Sequence, residues 1–312
     1  MSQMTPSQAR LVDPILTEVA RGYTSQKAMI ANALFPIVQV GTRGGLIPVF
    51  GPDSFKLVST ARAPGANTKR ITLDYGKDKF ALVDHRLEAL IPREVQEEAD
   101  KAPGIDIVAM HIGSVQDRMA IEREKQAADL ARDDAKYAAS NKETLSGTSQ
   151  WSDPASNPFA DIMDAKEAIR TATGETPNVL TLAPKVLTAL RTHPKVLDRM
   201  STASDRPPAT MAQLQALFEL DQIVTGNAVY HDGTALQDIW GKDAILAYTV
   251  REGARQFGSP SYGYTYQLSG YPWVEKGYQE NNMASWAYPV SDAYQPVLVG
   301  PSAGFLFKNA VA

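Results

Sequence analysis

"LSGTSQWSDPASNP", residues 145–158, separates two stretches of chain that follow different rhythms. From Ser140 to Pro158, 13 of 19 residues are Ser, Thr, Asn, Asp, Gly or Pro, the chemistry of turns and linkers. Trp151 stands in the middle of it. A segment this polar cannot build a core of its own, so the indole needs a partner from elsewhere in the chain.

Upstream lies the strongest periodic signal. Ile105, Val108, Ile112, Val115 and Met119 are spaced 3, 4, 3 and 4, and Ala127 and Leu130 resume the stripe. Asp117, Arg118, Glu122, Arg123, Glu124, Lys125, Asp129 and Arg132 are read as filling the other faces. Pro103 and Gly104 mark the start and Ser140–Asn141 the end, which predicts one helix over about 105–138. At 1.5 Å per residue it would run ~50 Å, roughly the diameter of a compact globule of this length. Such a helix spans the whole subunit on a stripe too narrow to be covered on all sides. A coiled-coil dimer is the simpler use of that stripe, but the seam is short and interrupted at Glu122–Lys125.

Downstream, helices and strands alternate. "NPFADIMDAKEAIRTATG" has Asn157 as N-cap, Pro158 at the first helical position and Gly174 as the stop. "NVLTLA" (178–183) is a short apolar strand, "PKVLTALRTHP" a helix closed by Pro194, and "TMAQLQALFEL" a third helix. "DQIVTGNAVY" and "DIWGKDAILAYTV" read as strands joined through a turn at His231-Asp232-Gly233. From Tyr262 the chain turns to β, with Tyr262, Tyr264, Tyr266 and Leu268 on one face and Trp286, Tyr288 and Val290 beyond an Asn281-Asn282 turn.

The N-terminal part is extended and punctuated. "ALFPIVQVGTRGGLIPVFG" (33–51) holds strand-like fragments, broken by Pro36, Gly41, Gly44, Gly45 and Pro48, with nowhere local to pack. Residues 51–86 read as a two-stranded ribbon of ~15 residues per arm, about 50 Å long at 3.3 Å per residue. An isolated ribbon of that length is marginal in water unless something covers it. It carries Lys56, Arg62, Lys69, Arg70, Lys77 and Lys79 against Asp53, Asp74 and Asp78. Just beyond, "REVQEEAD" (93–100) is acidic through Glu94, Glu97, Glu98 and Asp100. The complementarity predicts contacts in which one copy's ribbon lies on another copy's helix.

Composition and motifs exclude more than they select. The 312 residues, 44% of them hydrophobic, suffice for one large or two ordinary domains. A net charge of −4 speaks against a dedicated nucleic-acid or membrane-surface binder. With no cysteine there is no disulfide, iron–sulfur or thiolate zinc chemistry. The start lacks the pattern of a signal peptide and no run is apolar enough to span a membrane, so a soluble chain without membrane contact is expected. His85, His111, His193 and His231 share no metal-ligand spacing, and "GPSAG" (300–304) places Ser302 in a hairpin turn rather than on a nucleophile elbow. No catalytic residue, cofactor or metal is assigned. The one enzymatic alternative is a soluble hydrolase with a site near His231–Asp232.

A broken arm, a long basic hairpin, one spine-like helix, an α/β domain and a β return resemble the major capsid proteins of tailed bacteriophages, the Hong Kong 97 fold. The wording that carries the likeness is "LFPIVQVGTRGGLIPVF" (34–50), "LSGTSQWSDPASNP", "PNVLTLAPKVLTALRTHPKVLDRM" (177–200) and "DIWGKDAILAYT" (238–249), in the same order over nearly the whole chain. The resemblance implies an α+β fold with an N-terminal arm (1–50), an extended loop (51–86) and a peripheral domain with the spine helix and linker (87–157). An axial domain (158–250) and a β return with the C-terminal segment (251–312) complete it. Trp151 would anchor the crossing between domains, its ring against the spine helix end. The implied function is a non-enzymatic shell subunit, packed as hexamers and pentamers in the virion and assembled in the host cytoplasm. Its implied partners are itself, a portal, scaffolding or decoration proteins, and packaged DNA without sequence readout. An encapsulin-type compartment shares the fold and is the nearest alternative. Some members join a loop lysine to a neighbour's asparagine. Lys56, Lys69, Lys77 and Lys79 share only the location, and no asparagine or glutamate here matches that role by motif.

Overall fold

In the computed structural model, which describes residues 13, 16–17, 29–46, 61, 79–99, 106–200, 207–250 and 261–312, two mixed sheets are tied together by one long helix. The described chain begins with a short helix α1 (Ala31–Leu34), strands β1 (Ile37–Val40) and β2 (Gly44–Leu46), then β3 (Lys79–Ala81) and β4 (Val83–Pro92). Helix α2 (Arg93–Ala99) precedes the long helix α3 (Ile107–Ala131). The polar segment contributes strand β5 (Lys142–Thr144) and short 3-10 turns. Next come α4 (Pro158–Thr173), β6 (Val179–Leu182), α5 (Pro184–Thr192), α6 (Pro194–Met200), α7 (Met211–Phe218), β7 (Gln222–Thr225), β8 (Val229–His231), β9 (Leu236–Asp238) and β10 (Ala244–Ala247). Strands β11 (Gly263–Leu268), β12 (Trp273–Val274), β13 (Tyr278–Glu280), β14 (Ser285–Leu298) and β15 (Gly304–Lys308) close the chain.

The five-stranded sheet has the order β5-β15-β10-β6-β7. Its central β6 and β10 are buried at every position, as expected of strands covered on both faces. The six-stranded sheet is organised by β14, which pairs antiparallel with β4 along one edge and with β11, β12 and β13 along the other. Strand β1 adds to β11 in parallel.

Helix α3 starts where Asp106 caps it, its carboxylate accepting from Ala109 N at 2.9 Å. It ends at Ala131, about two turns short of the expected Ala138. There the Tyr137 hydroxyl turns back to donate to Ala131 O at 2.6 Å, and Asp133 caps a separate 3-10 turn. Two cores share the helix. Ile112, Val115 and Met119 pack with Ala89, Val274 and Val290 of the six-stranded sheet. Ala127, Ala128 and Ala131, each 0% exposed, enter the larger core around the five-stranded sheet.

Three further expectations are corrected. The arm is not without local partners: Ile30, Ala31, Leu34 and Phe35 are buried in the larger core, and β1 pairs with β11 of the same chain. Gly263 makes the room, since a Cβ there would fall 2.5 Å from the Phe35 ring. Nearer the terminus, Thr17 exchanges hydrogen bonds with the backbone of Val274. Glu124, assigned to a solvent face, is 1% exposed. Ser302 lies in a 3-10 turn that carries the chain from one sheet to the other rather than in a hairpin. Pro194 closes α5 as expected, and it also opens α6.

Because α3 approaches the larger core through alanines, there is no space for a longer side chain. Ala128→Leu should lower stability by ~1–3 kcal/mol through overpacking, read as a fall in the thermal unfolding midpoint of the purified full-length protein. An unchanged midpoint would contradict the close packing.

Candidate functional site

The polar segment is stitched to the C-terminus. Leu145 N donates to Lys308 O at 3.0 Å, Trp151 N to Ala310 O at 2.7 Å, and the Gln150 side-chain amide to Asn309 O at 3.1 Å. Trp151 is 0% exposed, with its ring centroid 4.9 Å from that of Phe307. Its indole N–H donates to Asp161 Oδ2 at 2.8 Å, in the first turn of α4. The ring is thus fixed by Phe307 of β15 and Asp161 of α4, in the same core that Ala127, Ala128 and Ala131 of α3 enter. Burial pushes the Asp161 carboxyl above its ordinary range, and the Trp151 N–H opposes that shift. Glu143 is raised by burial and then by the nearby Asp161 and Asp164.

A second region faces outward. β2, from the predicted arm, and β3, inside the segment predicted as an extended ribbon (51–86), pair antiparallel with Leu46 opposite Lys79, and so bring together the chain on either side of residues 47–78. Phe80 fixes this base by stacking on Tyr266 at 4.4 Å, a close approach that Gly45 permits. One residue later β4 begins, and it runs directly into α2. Helix α2 has no buried residue; Glu94, Glu97 and Glu98 are all exposed, with Arg93 3.4 Å from Glu97. Lys79 is exposed at the ribbon's base. Lys56, Arg62, Lys69, Arg70 and Lys77 lie outside the described residues.

The four histidines and Ser302 do not converge. His193 is buried, its Nε2 3.1 Å from both Ser156 Oγ and Asp153 O. His85 stacks on Tyr294 at 4.1 Å. His231 and Asp232 build the β8–β9 turn: His231 Nδ1 accepts from Gly233 N, and Asp232 Oδ1 from Thr234 N and Ala235 N. Among the described residues no three His, Cys, Asp or Glu side chains gather into a metal-holding group. Nor is any helix among them long and apolar enough to cross a membrane.

This architecture has known relatives. A family model for phage major capsid protein E matches residues 28–288. The chain belongs to that family. It is 34% identical to the major capsid protein of Burkholderia phage BcepMu, over 97% of this chain and 98% of the relative. The crystal structure of a phage-related protein from Bordetella bronchiseptica is 42% identical over 97% of this chain and 98% of its own, with a TM-score of 0.80. The capsid structure of cyanophage P-SCSP1u superposes with a TM-score of 0.58 at 12% identity, over 98% and 99% of the two chains, which shows the shared fold. This chain is thus a tailed-phage major capsid protein with the Hong Kong 97-type fold, a structural part of the virion.

Within that fold, two polar positions escaped the sequence reading. Counted back 3 and 7 residues from Ala127 and Ala131, Glu124 falls on their face of the helix, a signal that the upstream stripe obscures. Asp292 sits inside β14, where both carboxylate oxygens accept from the Gln267 side-chain amide at 2.9 and 3.0 Å, and Gln267 in turn accepts from Gln39 at 2.7 Å. This ladder ties arm strand β1 to β11 and β14. Burial holds the Asp292 carboxyl above its ordinary range, against the opposing Gln267 and Ala293 hydrogen bonds.

Two outcomes follow. Trp151→Ala should lower stability by ~3–5 kcal/mol and reduce the yield of assembled particles; normal particles with an unchanged melting profile would contradict the anchoring role. For Asp292, the raised folded value means that the folded state binds the proton more tightly than the unfolded chain. Its contribution to stability is therefore greatest below the ordinary carboxylate range and is lost as pH rises through the folded value. Asp292→Asn should flatten that part of the stability profile and leave neutral-pH stability equal or higher, measured as melting midpoint against pH. A profile parallel to that of the unsubstituted protein would exclude Asp292 as its source.

Proposed function

We propose that this capsid protein forms an icosahedral head in which hexamers and pentamers enclose a double-stranded DNA genome, assembled in the host cytoplasm. The observation that carries the reading is α2: a helix with no buried residue, bearing exposed Glu94, Glu97 and Glu98. It follows β4 directly and lies one strand away from the base of the basic segment. An exposed acidic helix finds its covering surface in assembly, and the charge pattern specifies a neighbour's ribbon through Lys56, Arg62, Lys69, Arg70, Lys77 and Lys79. Leu90 on β4 and Val95 on α2, 41% and 40% exposed, supply apolar area for the same contact. Many repeated weak contacts of this kind hold a shell together without any one being strong.

The shell surface is also what a portal, a scaffolding chain or a decoration protein would engage. A slightly acidic chain suits an inner wall that encloses DNA without reading its sequence. Shells from phage-producing cells should contain double-stranded DNA; enzyme cargo in its place would overturn the genome-enclosing role in favour of a compartment.

The contact itself is tested by charge exchange. Glu94, Glu97 and Glu98 changed together to Lys should suppress particles in negative stain, as should Lys56, Arg62, Lys69 and Arg70 changed together to Glu. The combined protein should assemble again. Particles at full yield from either single set, or no recovery in combination, would exclude this pairing. A solitary species of 33.9 kDa from the unaltered chain would remove the shell reading itself.

A further inference from the structure

Glu124 is a buried carboxylate with three donors from two distant parts of the chain. Its Oε1 accepts from Ile30 N at 2.9 Å and from the Trp240 indole N–H at 2.8 Å, while Oε2 accepts from Ala31 N at 2.9 Å. All the neighbours are N–H groups, the pattern that suits an acceptor-only side chain. Ile30 and Ala31 belong to the arm, Glu124 to α3, and Trp240 to the loop between β9 and β10. That loop is bound to α3 a second time, eight residues on. Arg132 Nε donates to Asp243 Oδ2 at 2.6 Å and its Nη1 to Ile239 O at 3.0 Å. Asp243 Oδ1 also accepts from Asn309 N at 2.9 Å. Trp240 is 1% exposed and pressed against Gly226, where an added Cβ would lie 2.1 Å from the indole.

We propose that Glu124 couples the docking of the N-terminal arm to the joint between the long helix and the α/β unit. The physical reason is that a buried carboxylate is costly unless its oxygens are filled. When the arm lifts, two of the three donors leave and the remaining bond to Trp240 sits beside an unsatisfied charge. When Trp240 shifts, the arm's two amides lose the partner that shared its field. Each contact therefore raises the affinity of the other, and linkage makes the effect reciprocal. The arm reports the state of the joint, and the joint reports the arm. A strap held by apolar contacts alone would lack this property, because Leu34 and Phe35 could detach without stranding a polar group.

The test is hydrogen exchange, followed by mass spectrometry, on the purified full-length protein. Trp240→Phe removes the indole N–H while retaining a ring. Peptides covering 29–35, whose own sequence is unchanged, should exchange about tenfold faster, the scale of one charge-assisted hydrogen bond. In a Glu124→Gln background the same change should have little further effect on the arm, because the linking carboxylate is gone. Equal exchange of the arm with and without Trp240→Phe, or an equal acceleration in both backgrounds, would overturn the coupling. Should Trp240→Phe fail to fold, Glu124→Gln alone decides: it should loosen both 29–35 and 239–241, and loosening of only one of them would be incompatible with the proposal.

Discussion

A 25-residue helix about 38 Å long belongs to two hydrophobic cores at once, and everything else in the subunit is arranged around that fact. Its first half presents Ile112, Val115 and Met119 to the sheet organised by β14, and its second half presents Ala127, Ala128 and Ala131 to the core of the α/β unit. Bulky residues keep the first sheet at side-chain distance; alanines let the second core close in. Glu124 lies just past the changeover. By Ile121 the helix already packs against the larger core, and Glu124 is buried there beside Ile30, Ala31 and Trp240. There a polar group can be satisfied by directed donors instead of packing.

The same logic explains the polar segment after the helix. Its side chains and backbone groups hydrogen-bond to residues 308–312, while Trp151 fills the space between β15 and α4. Strand β5, from the same segment, pairs in parallel with β15. The chain's last strand is thus gripped by a segment some 160 residues earlier. β15 also pairs with β10, so the C-terminus completes the α/β sheet rather than trailing from it. Long-range closure of this kind makes the α/β unit depend on β15, far along the chain from β5 and β6, a high-contact-order arrangement.

Much of this was legible in the sequence because it rests on local patterns. The stripe from Val108 to Met119, the Pro158 start and Gly174 stop of α4, the apolar run of β6 and the His231-Asp232-Gly233 turn each follow from spacing or turn chemistry within about twenty residues. The misreadings share a cause. Glu124 looks solvated among Glu122, Arg123 and Lys125 until the arm and Trp240 are brought to it from 94 and 116 residues away. The arm looks partnerless until Gly263, 228 residues beyond Phe35, opens a slot for the phenyl ring. The helix end at Ala131 depends on a tyrosine hydroxyl folding back, which periodicity does not encode. The acidic and basic runs were visible as composition, whereas the bareness of α2 is a property of the folded surface.

The distribution of satisfied and unsatisfied surface then distinguishes two kinds of extension. The arm, over 29–40, is built into its own subunit by backbone pairing, by buried Leu34 and Phe35, and by the Gln39–Gln267–Asp292 ladder. Helix α2 has no buried residue and is held at its start by Arg93 N donating to Ala284 O at 3.0 Å; its Arg93–Glu97 ion pair is internal and exposed, worth about a few tenths of a kcal/mol at most. A subunit destined for a shell needs both. Its internal joints have to hold one geometry, so that each copy presents the same outer surface, and donors aimed at a buried carboxylate enforce a register that apolar contacts would let slip. Its outer elements must stay incomplete, because a helix already covered by its own chain has nothing left to offer a neighbour.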